Sequence, residues 1–244
     1  MSAVDTLLAA RRNPAARPAA LPALPADAAA AYAIQQAVMR QLGPIGGWKV
    51  GFSPATGVFT CAPLPASFVR PGPVTVPQAQ CPDRGVEAEI AVTIGTTLPP
   101  RATPYSEAEV LAAIASAHPA IELLQSRYQD VGKVDPLSAL ADSLSHFGLV
   151  VGPAIPGWQD IDLATETVEV IVNGQTVKRC TANPAGPMLP LVTWMANHGA
   201  VWAGGLQAGQ VVTTGSWTAK DVVPEGAHVR MQFAQCGFVE CTYA

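Results

Sequence analysis

The stretch Arg84-Gly85-Val86-Glu87-Ala88-Glu89-Ile90-Ala91-Val92-Thr93-Ile94 constrains this chain more than any other. Val86, Ala88, Ile90, Val92 and Ile94 fall on one face, and Glu87, Glu89, Ala91 and Thr93 on the other. Period-two alternation with β-branched residues predicts a strand with one apolar face. Residues i and i+2 share a face about 7 Å apart, so Glu87 and Glu89 point the same way. Two readings fit that pair. One is a solvent-facing strand edge with two charges. The other is a buried pair whose mutual repulsion a divalent cation relieves, carboxylate oxygens suiting Mg²⁺, Mn²⁺ or Ca²⁺.

The rest of the composition narrows the class. The chain has 244 residues, 49% hydrophobic and only 13% charged, which suffices for one large domain, or one with a small appendage, around a sizeable core. A net charge of −4 without a basic run argues against nucleic acid as partner. No stretch reaches membrane-span length. Five cysteines, Cys61, Cys81, Cys180, Cys236 and Cys241, lack Cys-x-x-Cys spacing and read as free thiols in a reducing compartment. With no apolar leader at the N-terminus, the expectation is a cytoplasmic protein.

Along the chain, an Ala- and Pro-rich opening leads to Asp27, which caps a predicted helix reaching Leu42, stopped by Gly43. Ile45 to Phe52 reads as a short strand with Lys49 between apolar residues, either a cation gripping a carboxylate or a surface lysine. Residues 53–82 are crowded with Pro and Gly, read as loop, and hold the expected boundary between an N-terminal helical region (1–75) and a catalytic domain (76–244). Ser106 and Glu109 form a capping box. Ala120 to Tyr128 reads as a second buried strand, and Glu122 inside it needs a partner: Arg127, a backbone cap, or a metal shared with Glu87 and Glu89. Asp142 and Ser143 precede a buried strand, a position that often lines a site. His146 beside them reads either as a hydrogen-bonded structural residue, the favoured reading, or as a catalytic base. Asn173-Gly174 marks a type I′ hairpin. The element order gives an α+β class.

Together the motifs Gly47-Trp48-Lys49-Val50-Gly51, Val86-Glu87-Ala88-Glu89-Ile90-Ala91, Pro119-Ala120-Ile121-Glu122-Leu123, Ala141-Asp142-Ser143 and Leu206 to Gly215 resemble the 2-keto-4-pentenoate hydratase branch of the fumarylacetoacetate hydrolase superfamily. The resemblance implies a rolled mixed β-structure with a small helical N-terminal region, and a homo-oligomer, dimer or higher. It implies that Glu87, Glu89 and Glu122 hold one Mg²⁺ or Mn²⁺, and that Lys49 acts in catalysis. Trp48, Asp142, Ser143, Thr214 and Gly215 would bind a small-molecule 2-oxo acid. The expected activity is hydration of a 2-hydroxypenta-2,4-dienoate in aromatic catabolism. The alternatives are 2-oxo acid decarboxylation of the 4-oxalocrotonate type, acylpyruvate hydrolysis, or a non-catalytic homologue. One departure bears on the reaction: related hydratases carry an acid shortly after the Trp-Lys-Val-Gly motif, whereas Thr56 to Pro63 has none. Trp217, just beyond Gly215 in the closing loop, either narrows the pocket or packs in the core.

Overall fold

Alternating apolar stretches dominate the chain, and in the computed structural model, which describes residues 1–244, they assemble into two sheets with helices at the margins. The helices are α1 (Ala3–Arg12), α2 (Ala28–Leu42), α3 (Glu107–Ala113), α4 (Pro136–Ala141) and α5 (Met188–Trp194). The strands are β1 (Ile45–Ser53), β2 (Val58–Pro65), β3 (Val69–Pro71), β4 (Val74–Val76), β5 (Gly85–Ile94), β6 (Ile114–Leu124), β7 (His146–Val151), β8 (Thr167–Val172), β9 (Gln175–Thr181), β10 (Val211–Thr213), β11 (Asp221–Val222), β12 (His228–Phe233) and β13 (Phe238–Tyr243).

Local signals set many of these bounds. The Asp27 carboxylate accepts from Ala30 N–H at the start of α2, and Gly43 ends that helix at φ 112°. The Ser106–Glu109 capping box opens α3. Asn173 and Gly174 take φ 50° and 80°, the left-handed pair that a type I′ turn between β8 and β9 requires.

The larger sheet runs β2-β1-β10-β5-β6-β7-β3, with β11 beside β5; the smaller runs β4-β13-β12-β8-β9. The main core lies between the outer face of the large sheet and the second sheet, and joins Val86, Ala88, Ile90 and Val92 of β5 to Met231, Phe233, Val239 and Cys241. The other face of the large sheet curls inward around a small cluster of Leu64, Ala91, Ala120, Leu149 and Val211. Glu87 and Glu89 lie on that inner face. A second apolar cluster ties α1 and α2, through Leu7, Leu8, Ala31 and Val38, to Tyr128, Leu140 and Ala141.

The segment expected to be loop is in large part strand. Val58–Pro65 pairs antiparallel with β1 along its whole length. It forms the end of the large sheet's path, where the missing N–H groups of Pro63 and Pro65 can be tolerated. The helical part therefore ends at Leu42, and residues 45–76 contribute to both sheets. All five cysteines are free thiols. No helix is long and apolar enough to cross a membrane.

Candidate metal centre

Register builds the site. Glu87 on β5 sits directly opposite Glu122 on β6. β5 is a central strand, so its carboxylates are not on a sheet edge. Opposed like charges destabilise a sheet, and burial makes this worse. Glu89 is 2% exposed and Glu122 is fully buried. One carboxylate oxygen from each of Glu87, Glu89 and Glu122 lies within 4.8 Å of the others.

Neighbouring groups fix the three acids unequally. The inward curl brings Lys49 Nζ from β1 to Glu122 Oε1 at 2.8 Å, although β10 and β5 lie between their strands. His146 Nδ1 meets the same oxygen at 2.8 Å. A carboxylate only accepts, so Nδ1 carries the proton and Nε2 is left bare. Glu122 Oε2 is buried with no partner. Glu89 Oε2 accepts from the Thr213 hydroxyl and, at 3.0 Å, from Gly215 N–H. Gly215 takes φ 91°, a left-handed conformation that suits glycine, to aim that N–H.

The electrostatics follow. Burial first, then the charge of Glu122, raises Glu87 to about 7 and lifts Glu89 well above the usual carboxylate range. Burial would raise Glu122 too, but Lys49 and His146 hold it at about 2. Burial alone would lower Lys49; Glu122, Glu87 and Glu89 together raise it instead, so in this geometry the lysine is a charged partner of the carboxylates. Burial pulls His146 down to about 4 despite Glu122, so its ring is neutral.

This set suits a divalent oxygen-seeking cation. It offers three converging carboxylates, one with a buried oxygen that nothing else satisfies, and no thiol among them. Thr213, Gly215, Lys49 and His146 are the outer hydrogen bonds that orient such ligands.

Other anticipated residues fall elsewhere. Strand alternation turns Trp48 away from Lys49 into the main core, where its indole N–H donates to Gln210 Oε1 at 2.9 Å. Asp142 is paired, not open: Oδ1 takes Arg127 Nε at 2.6 Å and Oδ2 takes Arg127 N–H at 3.0 Å. That also removes Arg127 as partner of Glu122. Thr214 faces opposite Thr213, and its hydroxyl donates to Ile90 carbonyl at 2.8 Å. Ser143, Leu144 and Ser145 occupy three successive left-handed conformations, φ 53°, 53° and 65°. Such strain in non-glycine residues is the kind stored beside functional groups. The turn delivers His146, and a bulge between Leu123 and Leu124 sets His146 opposite Leu124, on the inner face with Glu122. Trp217 is core packing, 3% exposed and edge-on to Phe233 at 5.4 Å. It also lines a cavity of about 490 Å³ floored by Ile90. That cavity lies on the opposite side of β5 from the carboxylates, and none of the three acids lines it.

Fold and site together fit a known enzyme family, and the comparisons agree. Residues 54–243 match the family described as fumarylacetoacetate (FAA) hydrolase, C-terminal. The chain belongs to the fumarylacetoacetate hydrolase family. Over 160 residues it is 31% identical to a 4-oxalocrotonate decarboxylase of Pseudomonas putida, covering 65% of this chain and 59% of that protein. Over 136 residues it is 31% identical to a 2-keto-4-pentenoate hydratase of Burkholderia vietnamiensis (strain G4 / LMG 22486), covering 54% and 49%. The chain thus spans less than two thirds of the curated relatives it matches. Its fold superposes on the 4-oxalocrotonate decarboxylase from Pseudomonas putida G7 complexed with magnesium and adipate, with TM-score 0.84, 24% identity, and 99% and 95% of the two chains covered. The same enzyme complexed with calcium and acetate matches at TM-score 0.77 and 26% identity, over 89% and 86%.

Proposed function

We propose that the chain is a divalent-metal-dependent lyase of 2-oxo acids, and that its reaction is the decarboxylation of an unsaturated 2-oxo diacid of the 4-oxalocrotonate type. The observation that carries this reading is the convergence of Glu87, Glu89 and Glu122 beside the Lys49 ammonium. When bound by the three carboxylates, Mg²⁺ or Mn²⁺ supplies Lewis acidity toward the carboxylate and keto oxygens of a 2-oxo acid.

The chain's own residues do the rest. In 2-oxohex-3-enedioate, the bond between the far carboxylate and its neighbouring carbon breaks and CO₂ leaves. The electron pair passes through the conjugated double bond toward the keto oxygen. Negative charge therefore grows near Lys49, a fixed cation in a water-poor site where such stabilisation is strong. His146 holds Glu122 in place from one side while Lys49 holds it from the other. Thr213 and Gly215 fix Glu89.

The choice between decarboxylation and the hydration expected from sequence turns on water. Adding water to a dienoate needs a group that activates it or supplies its proton. On the inner face beyond Lys49, the register brings Gly51 opposite Thr60, Lys49 opposite Ala62 and Gly47 opposite Leu64. None carries a carboxyl or imidazole, so a water-activating group would have to be His146, whose Nε2 is bare but whose ring is held on Glu122, or Glu87, which the cation would use as a ligand. Loss of CO₂ needs no such group. Hydration of 2-hydroxypenta-2,4-dienoate is the second reading, supported by the equal identity to a protein named as a hydratase.

The test is turnover of 2-oxohex-3-enedioate and, separately, of 2-hydroxypenta-2,4-dienoate, each with Mg²⁺ or Mn²⁺ and then with EDTA. Metal-dependent CO₂ release from the first supports the proposal. Metal-dependent gain of water by the second, without CO₂ from the first, replaces it with the hydratase. No consumption of either sinks both. A role in aromatic catabolism and assembly as a homo-oligomer belong to the same reading, the latter checked by light scattering.

A further inference from the structure

Residues 213–222 follow one edge of β5 and carry a second lysine to the carboxylates. Thr213 pairs with Ala91, Trp217 N–H donates to the Ala88 carbonyl at 2.8 Å, and β11 sets Asp221 opposite Val86 and Val222 opposite Gly85. Directly opposed residues share a face. Asp221 therefore goes with Val86 to the outer side, and Lys220, one position earlier, goes with Gly85 and Glu87 to the inner side. The side-chain packing agrees. A Cβ at Gly85 would stand 2.8 Å from Lys220 Cε, so the lysine stem lies across the bare backbone of Gly85, a close approach that glycine permits.

Lys220 is an uncommitted cation at the open side of the cluster. Lys49 is on Glu122, and Lys178 is on Asp221 and the Thr218 carbonyl. Lys220 itself makes no ion pair and no side-chain hydrogen bond, and it is half-buried, with surface left for a ligand. Of the three acids, Glu89 and Glu122 are buried and Glu87 is half-buried, so the cluster meets solvent at Glu87, where Lys220 stands. The charge of Lys220 is felt there: together with Lys49 it offsets part of the rise that burial imposes on Glu87.

With a divalent cation bound, the three carboxylates and the Lys49 ammonium leave the cluster neutral, and a dianionic ligand finds its next positive charge at Lys220. The head of a 2-oxo acid belongs at the carboxylates. Gly85, under the lysine stem, is one step of the strand's inner face from Glu87, about 7 Å, the span of a chain of a few carbons. Resting on the 2-oxo acid reading above, we infer that Lys220 binds the far carboxylate of a 2-oxo diacid and so selects diacids over mono-acids. It is a specificity residue. The far carboxylate is the one that leaves, so the contact belongs to the ground state and acts on affinity rather than on the chemical step.

The test uses 2-oxoadipate and 2-oxohexanoate, which share a head and a length and differ only in the far carboxylate. Neither has the double bond that decarboxylation requires, so binding is read without turnover. Calorimetry on the full chain at saturating Mg²⁺ compares wild type, Lys220→Met and Lys220→Arg. Wild type prefers 2-oxoadipate by about three- to tenfold, the scale of a half-buried ion pair. In Lys220→Met that preference falls to near unity while 2-oxohexanoate binds as before. In Lys220→Arg, which keeps the charge, the preference persists. A wild type that binds both ligands equally overturns the assignment of Lys220 and leaves the 2-oxo acid site standing. So does a Lys220→Met variant that keeps the preference or weakens both ligands in proportion, as a lysine acting only on Glu87 and the metal would, and so does a Lys220→Arg variant that loses the preference. A wild type that binds neither ligand overturns the 2-oxo acid reading, and this inference with it.

Discussion

Metal binding is expected to expel protons, and the site allows the amount and its pH dependence to be worked out. Without a cation, burial and Glu122 raise Glu87 to about 7, from an ordinary carboxylate value of 4.5. Glu89 is lifted by the same causes, with Glu87 added. At pH 7 Glu87 alone is about half protonated, and Glu89 adds to that; a cation that uses both carboxylates must displace those protons. Binding of Mg²⁺ at pH 7 therefore releases at least about half a proton, and more at pH 6. Stability is linked with a definite sign. Glu87 is raised in the folded state, so its contribution is fully present below pH 4.5 and is lost as pH climbs through 7, amounting to at most about 3 kcal/mol. Glu122, held at about 2, contributes in the opposite sense: its stabilisation is present above pH 4.5 and is lost as pH falls toward 2. The metal-free protein therefore weakens from pH 5 to pH 8, and the thermal shift produced by Mg²⁺ grows over the same range. Calorimetry in two buffers of different ionisation enthalpy measures the protons, and thermal unfolding with and without EDTA measures the stability. Proton-neutral Mg²⁺ binding at pH 6 and 7, or a metal-free protein equally stable at pH 5 and 8, would refute the reasoning.

Further outcomes follow from single contacts. Glu122→Gln keeps the shape of a buried side chain but removes one ligand charge, and abolishes metal-dependent turnover while circular dichroism stays native; full turnover would unseat the ligand assignment. Lys49→Met removes the cation on Glu122 and lowers kcat by roughly 10²–10⁴, the scale of a positioned proton-transfer or charge-stabilising group; a change confined to KM would make it a binding residue only. Arg127→Met strands Asp142 as a buried carboxylate without its cation, a loss of about 3–5 kcal/mol. In a chain of this size that lowers Tm by roughly 6–20 °C; a smaller shift in differential scanning fluorimetry would mean the pair is solvated. Trp217→Ala removes an aromatic packed on Phe233 and destabilises by about 3–5 kcal/mol in urea unfolding, with metal affinity unchanged; weaker Mg²⁺ binding instead would give Trp217 a part in the site.

Strand alternation alone put Glu87 and Glu89 on one face, because the period of a β-strand is fixed by backbone geometry whatever the neighbours are. Likewise Asp27, the Ser106–Glu109 pair and Asn173-Gly174 marked their elements, since caps and tight turns are satisfied by residues a few positions apart. The motifs of the resemblance, taken together, carried the family. What the residues could not disclose was pairing over long separations. Glu122 had three candidate partners within reach of the argument, and the fold chose Lys49, 73 residues away, and His146, 24 residues away. Arg127 went instead to Asp142. The edge position that lets a proline-rich segment become β2 and the bulge that turns His146 inward are likewise products of the sheet's pairing and curl. Local periodicity settles which face a side chain takes. Which charges meet across that face depends on strand order and register, which only the closed tertiary structure decides.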